Sequence, residues 1–407
     1  MNTPPDSAPL RAVPMNTLPD SAPLSAVPMN TPPDSAPPNI PNDLLVEILS
    51  HLPVKSLLRF QCTSKSWKSL ISHPKFIKLH LQKSPKNVNI VLLCDFVKSG
   101  FDPLAISCKI RSLIKCPTLE FAEYDCCYRL KPDYWVVDCF NGLFCLRKTR
   151  NVRRGFNEHW VRFWNPAMKK KSAKSPCLRV KRINCRPESC RFGFGYDDLT
   201  DSYKVVAAVF GRKKTEVKLY CMGDTCWRTI LSFPVFPFLN QIDGMFMKGT
   251  INWLALNKPG SDYCWKSDVT ANQLVIFSLD LGNETYQHIS LPEGFVEVPR
   301  FEPQLRVSKD TLCLFHDQGS HFVMWQMKEF GVESSWTKLV NFDSNGFPLV
   351  PICISDKDIA ILVNNQYVEA ILYNLRREVV VGTKFHSYET WMDAKDYIQS
   401  LVFPCEE

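Results

Sequence analysis

Three short stretches bring chemically capable side chains together along the chain. "CLFHDQGSH" gathers Cys313, His316, Asp317 and His321, a donor set of the kind that binds zinc. On a strand, however, Cys313 shares a face with Phe315 while His316 points to the other side, so the donors do not converge. "RFGFGYD" holds Gly193 and Gly195 but lacks the full spacing of a dinucleotide loop and opens no helix, which leaves a turn or close strand packing as their use. Asp197, Asp198 and Asp201 follow as an acidic turn, where turn chemistry alone favours aspartate. There is no nucleophile elbow and no triad order. The expectation is a chain that is not an enzyme and uses no metal or cofactor.

Charge is the other chemical feature. Between Arg147 and Arg191 stand 15 Lys or Arg against only Glu158 and Glu188, more than the whole surplus of +8. Phe156, Trp160, Phe163 and Trp164 interleave with these cations, an arrangement that could serve base stacking. "VRFWNP" reads better as a strand ending in a turn, and "KKKSAKS" as an exposed loop. An acidic protein partner suits this charge better than nucleic acid.

Composition sets the wider frame. Apolar residues make up 45% and charged residues 22% of 407, an ordinary globular balance. No run approaches the ~18 apolar residues of a membrane helix. The start has neither a basic opening nor a continuous apolar stretch, so no secretory leader is expected. Seventeen dispersed cysteines without a C-x-x-C pair fit reduced thiols in the cytoplasm or nucleus.

Three regions follow. Residues 1–38 repeat "MNTPPDSAPLRAVP" with a period of 14, a proline-rich segment expected to stay disordered. Residues 39–81 show helical periodicity: Leu44, Leu45, Ile48, Leu49 and Leu52 recur at helical steps, with Asn42 or Asp43 placed as a cap. Pro53 interrupts, then Leu57, Leu58 and Phe60 precede a set formed by Trp67, Leu70 and Ile71. Ser64 or Ser66 is placed to cap this last helix, and "PKFIKLHL" to add a further short turn. From residue 86 to 407 the pattern changes to short strands and turns. Four phrases recur there: "NGLFCL" at Asn141, "KGTINWL" at Lys248, "KDTLCLF" at Lys309 and "KDIAIL" at Lys357. If "RFGFGYDDLTDSYKVV" supplies one further unit, the spacing nears the ~50 residues of a kelch blade, and roughly six blades fit. A pair of β-sandwiches is the alternative.

The segment "IPNDLLVEILSHLPVKSLLRFQCTSKSWKSLISHPKFIKLHL" resembles an F-box. It carries the Leu-Leu–x-x–Ile-Leu helix, the Leu-Pro–x–Lys-Ser-Leu turn and the Ser-Lys–x-Trp close. It departs at Ile40, Asn42 and Thr63, and none of these removes an apolar anchor. A stretch of ~40 residues rarely folds without help. Phe60, Trp67, Leu70 and Ile71 would fill its small core. The resemblance implies that Ile40, Pro41, Leu44, Leu45, Ile48, Leu49, Leu52, Pro53, Leu57 and Leu58 bind the Skp adaptor and, through it, a cullin scaffold. "CFNGLFCL", "FWNP", "FGFGYDDLTDSYKVV" and "GTINWL" resemble the F-box-associated region of kelch-like plant F-box proteins. The expected whole is an α+β multidomain chain: a small all-α F-box of about three helices, then an all-β kelch-like propeller. The resemblance implies the substrate-recognition subunit of a ubiquitin ligase, whose propeller binds a protein client. A propeller enzyme or a nucleic-acid-binding propeller is the alternative.

Overall fold

The computed structural model describes residues 40–84, 89–95, 104–109, 114, 126–130, 134–152, 155–182, 190–211, 214–233, 236–237, 243–257, 265–355, 357–364, 369–383 and 390–404. The proline-rich repeats and residues 183–189 of the basic segment lie outside them. The chain separates into two compact units, Met1–Leu45 and Val46–Glu407.

Four helices come first: α1 (Asn42–Ser50), α2 (Val54–Gln61), α3 (Lys65–Ile71) and α4 (Pro74–Lys83). Asn42 and Asp43 lie inside the first turn of α1 rather than before it, where the Asp43 carboxylate favours the helix dipole. Pro53 precedes α2 with extended backbone, so it separates two helices instead of kinking one. Ser64 caps α3, its hydroxyl accepting from the Ser66 amide at 3.2 Å. "PKFIKLHL" is more than a turn. Pro74 at the first helical position and His73 as the cap start a ten-residue helix.

The β-rich body is a propeller of six antiparallel sheets. The first blade holds β1 (Asn89–Asp95), β2 (Leu104–Lys109) and β3 (Cys126–Arg129). The second holds β4 (Tyr134–Phe140), β5 (Leu143–Val152) and β6 (Phe156–Asn165), with β7 (Lys170–Lys171) and β8 (Leu178–Lys181) both paired to β6. The third runs β9 (Cys190–Asp197), β10 (Ser202–Phe210), β11 (Thr215–Cys221) and β12 (Arg228–Phe233). The fourth combines β13 (Phe236–Pro237), β14 (Met245–Met247), β15 (Thr250–Leu256), β16 (Leu274–Asp280) and β17 (Tyr286–Ser290). The fifth is β18 (Gln304–Ser308), β19 (Thr311–Gln318), β20 (His321–Met327) and β21 (Trp336–Asp343). The sixth is β22 (Val350–Ile354), β23 (Ile359–Asn364), β24 (Glu369–Asn374) and β25 (Val379–Thr383). Finally β26 (Thr390–Tyr397) returns to the first blade and pairs with β1, Asn89 opposite Tyr397. The ring is thereby closed by strands from its two chain ends. The inner strands β26, β4, β9, β14, β18 and β22 neighbour one another around a central channel.

The recurring phrases mark the hairpins that join inner and second strands. Asn141-Gly142, Lys248-Gly249 and Lys309-Asp310 have positive φ at both positions, the backbone that a tight two-residue hairpin needs. The "FGFGYDDLTDSYKVV" block supplies β9 and β10, the extra unit that the spacing asks for.

Apolar cores lie between neighbouring blades. Val206 and Ala208 of the third blade meet Ile251, Trp253 and Phe277 of the fourth. This explains the glycines of "RFGFGYD", which permit close packing and form no turn. A Cβ on Gly193 would stand 2.4 Å from Ile251 Cγ2, and one on Gly195 2.1 Å from Phe246 Cδ2. Gly193→Ala is therefore expected to cost about 1–3 kcal/mol by overpacking, read as a lowered thermal midpoint. An unchanged midpoint would refute the close-approach reading. Asn165 of "FWNP" also has a specific use. Its buried amide donates to the Ser400 and Val402 carbonyls at 3.0 and 2.7 Å, tying the C-terminal segment to the second blade.

Candidate partner-binding surfaces

The first surface starts on α1, where helical geometry turns positions 44 and 48 to one side. Ile40, Leu44 and Ile48 are 53%, 56% and 53% exposed, although all three are large and apolar. Pro41 and Pro53 are also exposed, while Leu45, Leu52 and Leu58 are half-buried. Leu49 and Leu57 are different: both are buried and belong to the helical core. The ten residues expected to meet the adaptor thus divide into exposed, half-buried and buried sets.

Within Val46–Glu407 the helices share a small core of their own. Phe60 and Trp67 meet edge to face at 5.0 Å, both half-buried, as is Leu70, while Ile71 is fully buried. His80 of α4 reaches back to the Leu52 carbonyl with Nε2 at 2.9 Å. Burial holds its pKa below the usual imidazole value despite that hydrogen bond. Glu47 pairs with His51 at 3.2 Å and with Lys83. Ile77 and Leu81 of α4 pack on the apolar cluster shared by the second and third blades. Lys78 adds a hydrogen bond to Asp201 at 2.5 Å. Within Val46–Glu407, α4 is thus a docking element as well as the end of the helical segment.

The second surface is the channel mouth where the inner strands turn. A cavity of about 460 Å³ lies there, lined from all six blades. Phe140 and Phe246 meet edge to face at 4.6 Å on its wall, and Phe140 stacks on Tyr196 at 6.3 Å. Arg306 Nη1 donates to the carbonyls of Ile352 and Ala394 at 3.1 and 2.8 Å. Lys395 Nζ pairs with Asp138 at 3.4 Å. Asp396 opens onto the lumen but is otherwise ringed by protein, and its carboxyl pKa is pushed up to about 6. Burial is the main cause; Asp310 and Asp138 add to it, while Arg306 and Lys395 oppose it. Of the acidic turn, Asp198 lines this mouth, while Asp197 and Asp201 do not. The signal of the mouth was a set of charges interrupting inner strands: Arg306 in "QLRVS", Lys395 and Asp396 in "DAKDY".

The chemically suggestive clusters resolve into structural parts. Cys313 is buried, and its thiol pKa is pushed up to about 12 by that burial. His316 Nε2 accepts from Trp325 Nε1 at 3.2 Å, and Asp317 accepts from the amides of Arg300 and Phe301 at 2.9 and 3.0 Å. His321 is exposed at the other end of a hairpin. No group of metal donors forms among the described residues. Asp197 is buried against Lys204, and Asp201 bonds Tyr196 and Lys78.

In the basic segment, Lys169, Lys170, Lys171, Lys174, Arg179 and Lys181 are exposed on the second blade. Its aromatic faces are already covered by its own cations. Arg179 lies 4.4 Å over Phe156, Arg150 5.3 Å over Trp160 and Lys171 5.4 Å over Trp164. Phe163 is buried. Phe156, Trp160 and Trp164 thus each already have a cation of the same blade over the ring. No helix among the described residues is long and apolar enough to cross a membrane.

Comparison with known families gives two matches. Residues 37–79 match the F-box domain, and residues 123–403 match the F-box associated beta propeller domain. An F-box/kelch-repeat protein of Arabidopsis thaliana is 29% identical over 379 residues, covering 90% of this chain and 96% of the relative. A putative F-box protein of the same plant is 26% identical over 339 residues, covering 78% and 83%. F-box/WD-40 repeat-containing protein 1, also from Arabidopsis thaliana, is 26% identical over 368 residues, covering 84% and 80%.

Proposed function

The chain belongs to the F-box proteins that carry an F-box associated β-propeller domain, and from that premise we propose that it is the substrate-recognition subunit of an SCF-type ubiquitin ligase. The F-box binds the Skp adaptor and, through it, the cullin scaffold, while the propeller holds a protein client. The observation that carries this reading is the exposed apolar set Ile40, Leu44 and Ile48 within the segment that matches the F-box. Isolated apolar side chains are common on surfaces, but three such residues within nine positions of an F-box invite a partner. Pro41, Leu45, Leu52, Pro53 and Leu58 extend the contact, and Leu49 and Leu57 support it from the core.

Catalysis in such an assembly comes from proximity, so this chain needs no reactive side chain of its own. Packing of α4 on the blades suits the task, because ubiquitin transfer depends on a fixed distance between scaffold and client. The protein works in the cytoplasm or nucleus, where the ligase and reduced thiols coexist. Affinity purification of the tagged full chain from plant cells is expected to recover an Skp adaptor and a cullin. Recovery of folded chain without adaptor would refute the assignment. Proximity labelling with a ubiquitin trap then identifies the client.

A further inference from the structure

The cavity at the channel mouth has more negative charge than its own cations use. Arg306 is engaged by two carbonyls and Lys395 by Asp138. By contrast, the carboxylates of Asp198, Asp310 and Asp396 make no hydrogen bond or ion pair with the described residues, and all three line the cavity. Lys248 is the remaining cation, exposed on the hairpin at the rim.

Asp396 is the informative member. It lines the cavity with its carboxyl open to the lumen, and the surrounding protein, with Asp310 and Asp138, raises its carboxyl pKa. A cation entering from the lumen would add to the partial compensation that Arg306 and Lys395 give. The half-buried rings of Phe140 and Phe246 line the same cavity. Carboxylates next to aromatic faces suit a guanidinium, which is planar, stacks on rings and bonds carboxylate through a fork of N–H donors. An ammonium fits the carboxylates but not the rings as well. A volume of about 460 Å³ admits one long side chain together with part of its backbone.

We propose that this cavity receives an arginine side chain of the client polypeptide, its guanidinium facing Asp396 and Asp310 and its stem against Phe140 and Phe246. The inference rests on the reading of the propeller as the client-binding body. Recognition of an arginine-bearing segment would then contribute to the choice of which protein is ubiquitinated.

The test titrates the full chain at pH 7.5 with acetyl-Phe-Arg-Gly-amide and with its citrulline isostere, which keeps the shape and removes the charge. The arginine peptide is expected to bind at least tenfold more tightly. Asp396→Asn should bring the two peptides to within about twofold of each other. Asp310→Asn, in an exposed hairpin where folding is not at stake, should weaken the arginine peptide alone.

Binding should also weaken between pH 7.5 and 5.5 as Asp396 takes up a proton. The groups facing it are Arg306 and Asp310 from β18 and its hairpin, Asp138 and Cys139 from β4, and Lys395 on β26. Equal affinity for the two peptides, or an Asp396→Asn variant that discriminates as well as the unmodified chain, would overturn the proposal. Agmatine binding as tightly as the peptide would overturn it too, in favour of a small-amine site. Adaptor co-purification from the same preparation separates the two readings. If it persists without arginine preference, only this inference fails; if it is absent, the ligase reading fails.

Discussion

Replacing Leu44 and Ile48 together by aspartate is expected to abolish co-purification with the Skp adaptor while the propeller melts at its usual temperature. Both residues are more than half exposed in the free chain, so charging them removes little internal contact. Substitutions at such positions usually stay within about 0.5 kcal/mol of neutral. Against a partner the balance reverses. Each buried Leu or Ile is worth about 1.5–3 kcal/mol, and each aspartate would carry an unpaired charge into an apolar contact. A combined loss of about 5 kcal/mol or more is over a thousandfold in affinity, enough to empty a pull-down.

The contrast is Leu57→Ala. Leu57 is fully buried, so its truncation should cost about 2–5 kcal/mol of stability and weaken adaptor binding indirectly. Thermal melts of both variants beside the pull-down distinguish the two routes. Undiminished adaptor capture by the Leu44→Asp/Ile48→Asp chain would refute the contact surface.

What the sequence reveals, and what it hides, follows from whether the information is local. The F-box signature is an ordered set of residues within one short segment, so its helices are legible. Leu44 and Leu49 are not told apart there, because both sit on the apolar arc of the same helix. In the structure Leu44 is 56% exposed and Leu49 is buried, a difference that the helical period alone does not carry. The full length of α4 is not legible locally, because its apolar residues Ile77 and Leu81 pack on the blades, a surface that no local pattern announces.

Blade hairpins are legible through the Asn-Gly, Lys-Gly and Lys-Asp pairs that tolerate positive φ. The first blade is not, because its inner strand β26 comes from the far end of the chain. The channel cavity is the extreme case. Its wall takes one short piece from each of six segments, and Asp396 looks like any strand-end charge until the ring closes around it.

Lys204→Met is the second substitution with a large expected effect, and it tests how the third and fourth blades are held together. Lys204 and Asp197 sit on adjacent strands with side chains only 4% and 3% exposed. The ammonium donates to Asp197 at 2.7 Å and to the Leu281 carbonyl, beyond the end of β16, at 2.8 Å. Burial alone would raise the Asp197 pKa. Hydrogen bonds from Lys204, Thr200 and the Leu199 amide outweigh it and hold the carboxyl below its usual value. Methionine keeps the stem and removes the charge, leaving a buried carboxylate without its counter-ion, at a cost of about 3–5 kcal/mol.

The pH dependence carries the distinguishing sign. In the unmodified chain Asp197 contributes stability above its unfolded pKa of 3.8, and that contribution is lost as pH falls through the lower folded value. In the Lys204→Met chain the folded pKa should instead lie above the unfolded one, so protonation favours the folded state. The stability gap between the two chains should therefore narrow as pH falls from 7 towards 4. Adding Asp197→Asn to Lys204→Met should recover part of the loss at pH 7, because the amide can keep the bonds to Thr200 or Leu199 without a charge to bury. Denaturant melts of the three chains at pH 7, 5.5 and 4 check this. A gap below about 1 kcal/mol, or one that does not change with pH, would mean that the blades are held by the Trp253 and Phe277 cluster and not by the ion pair.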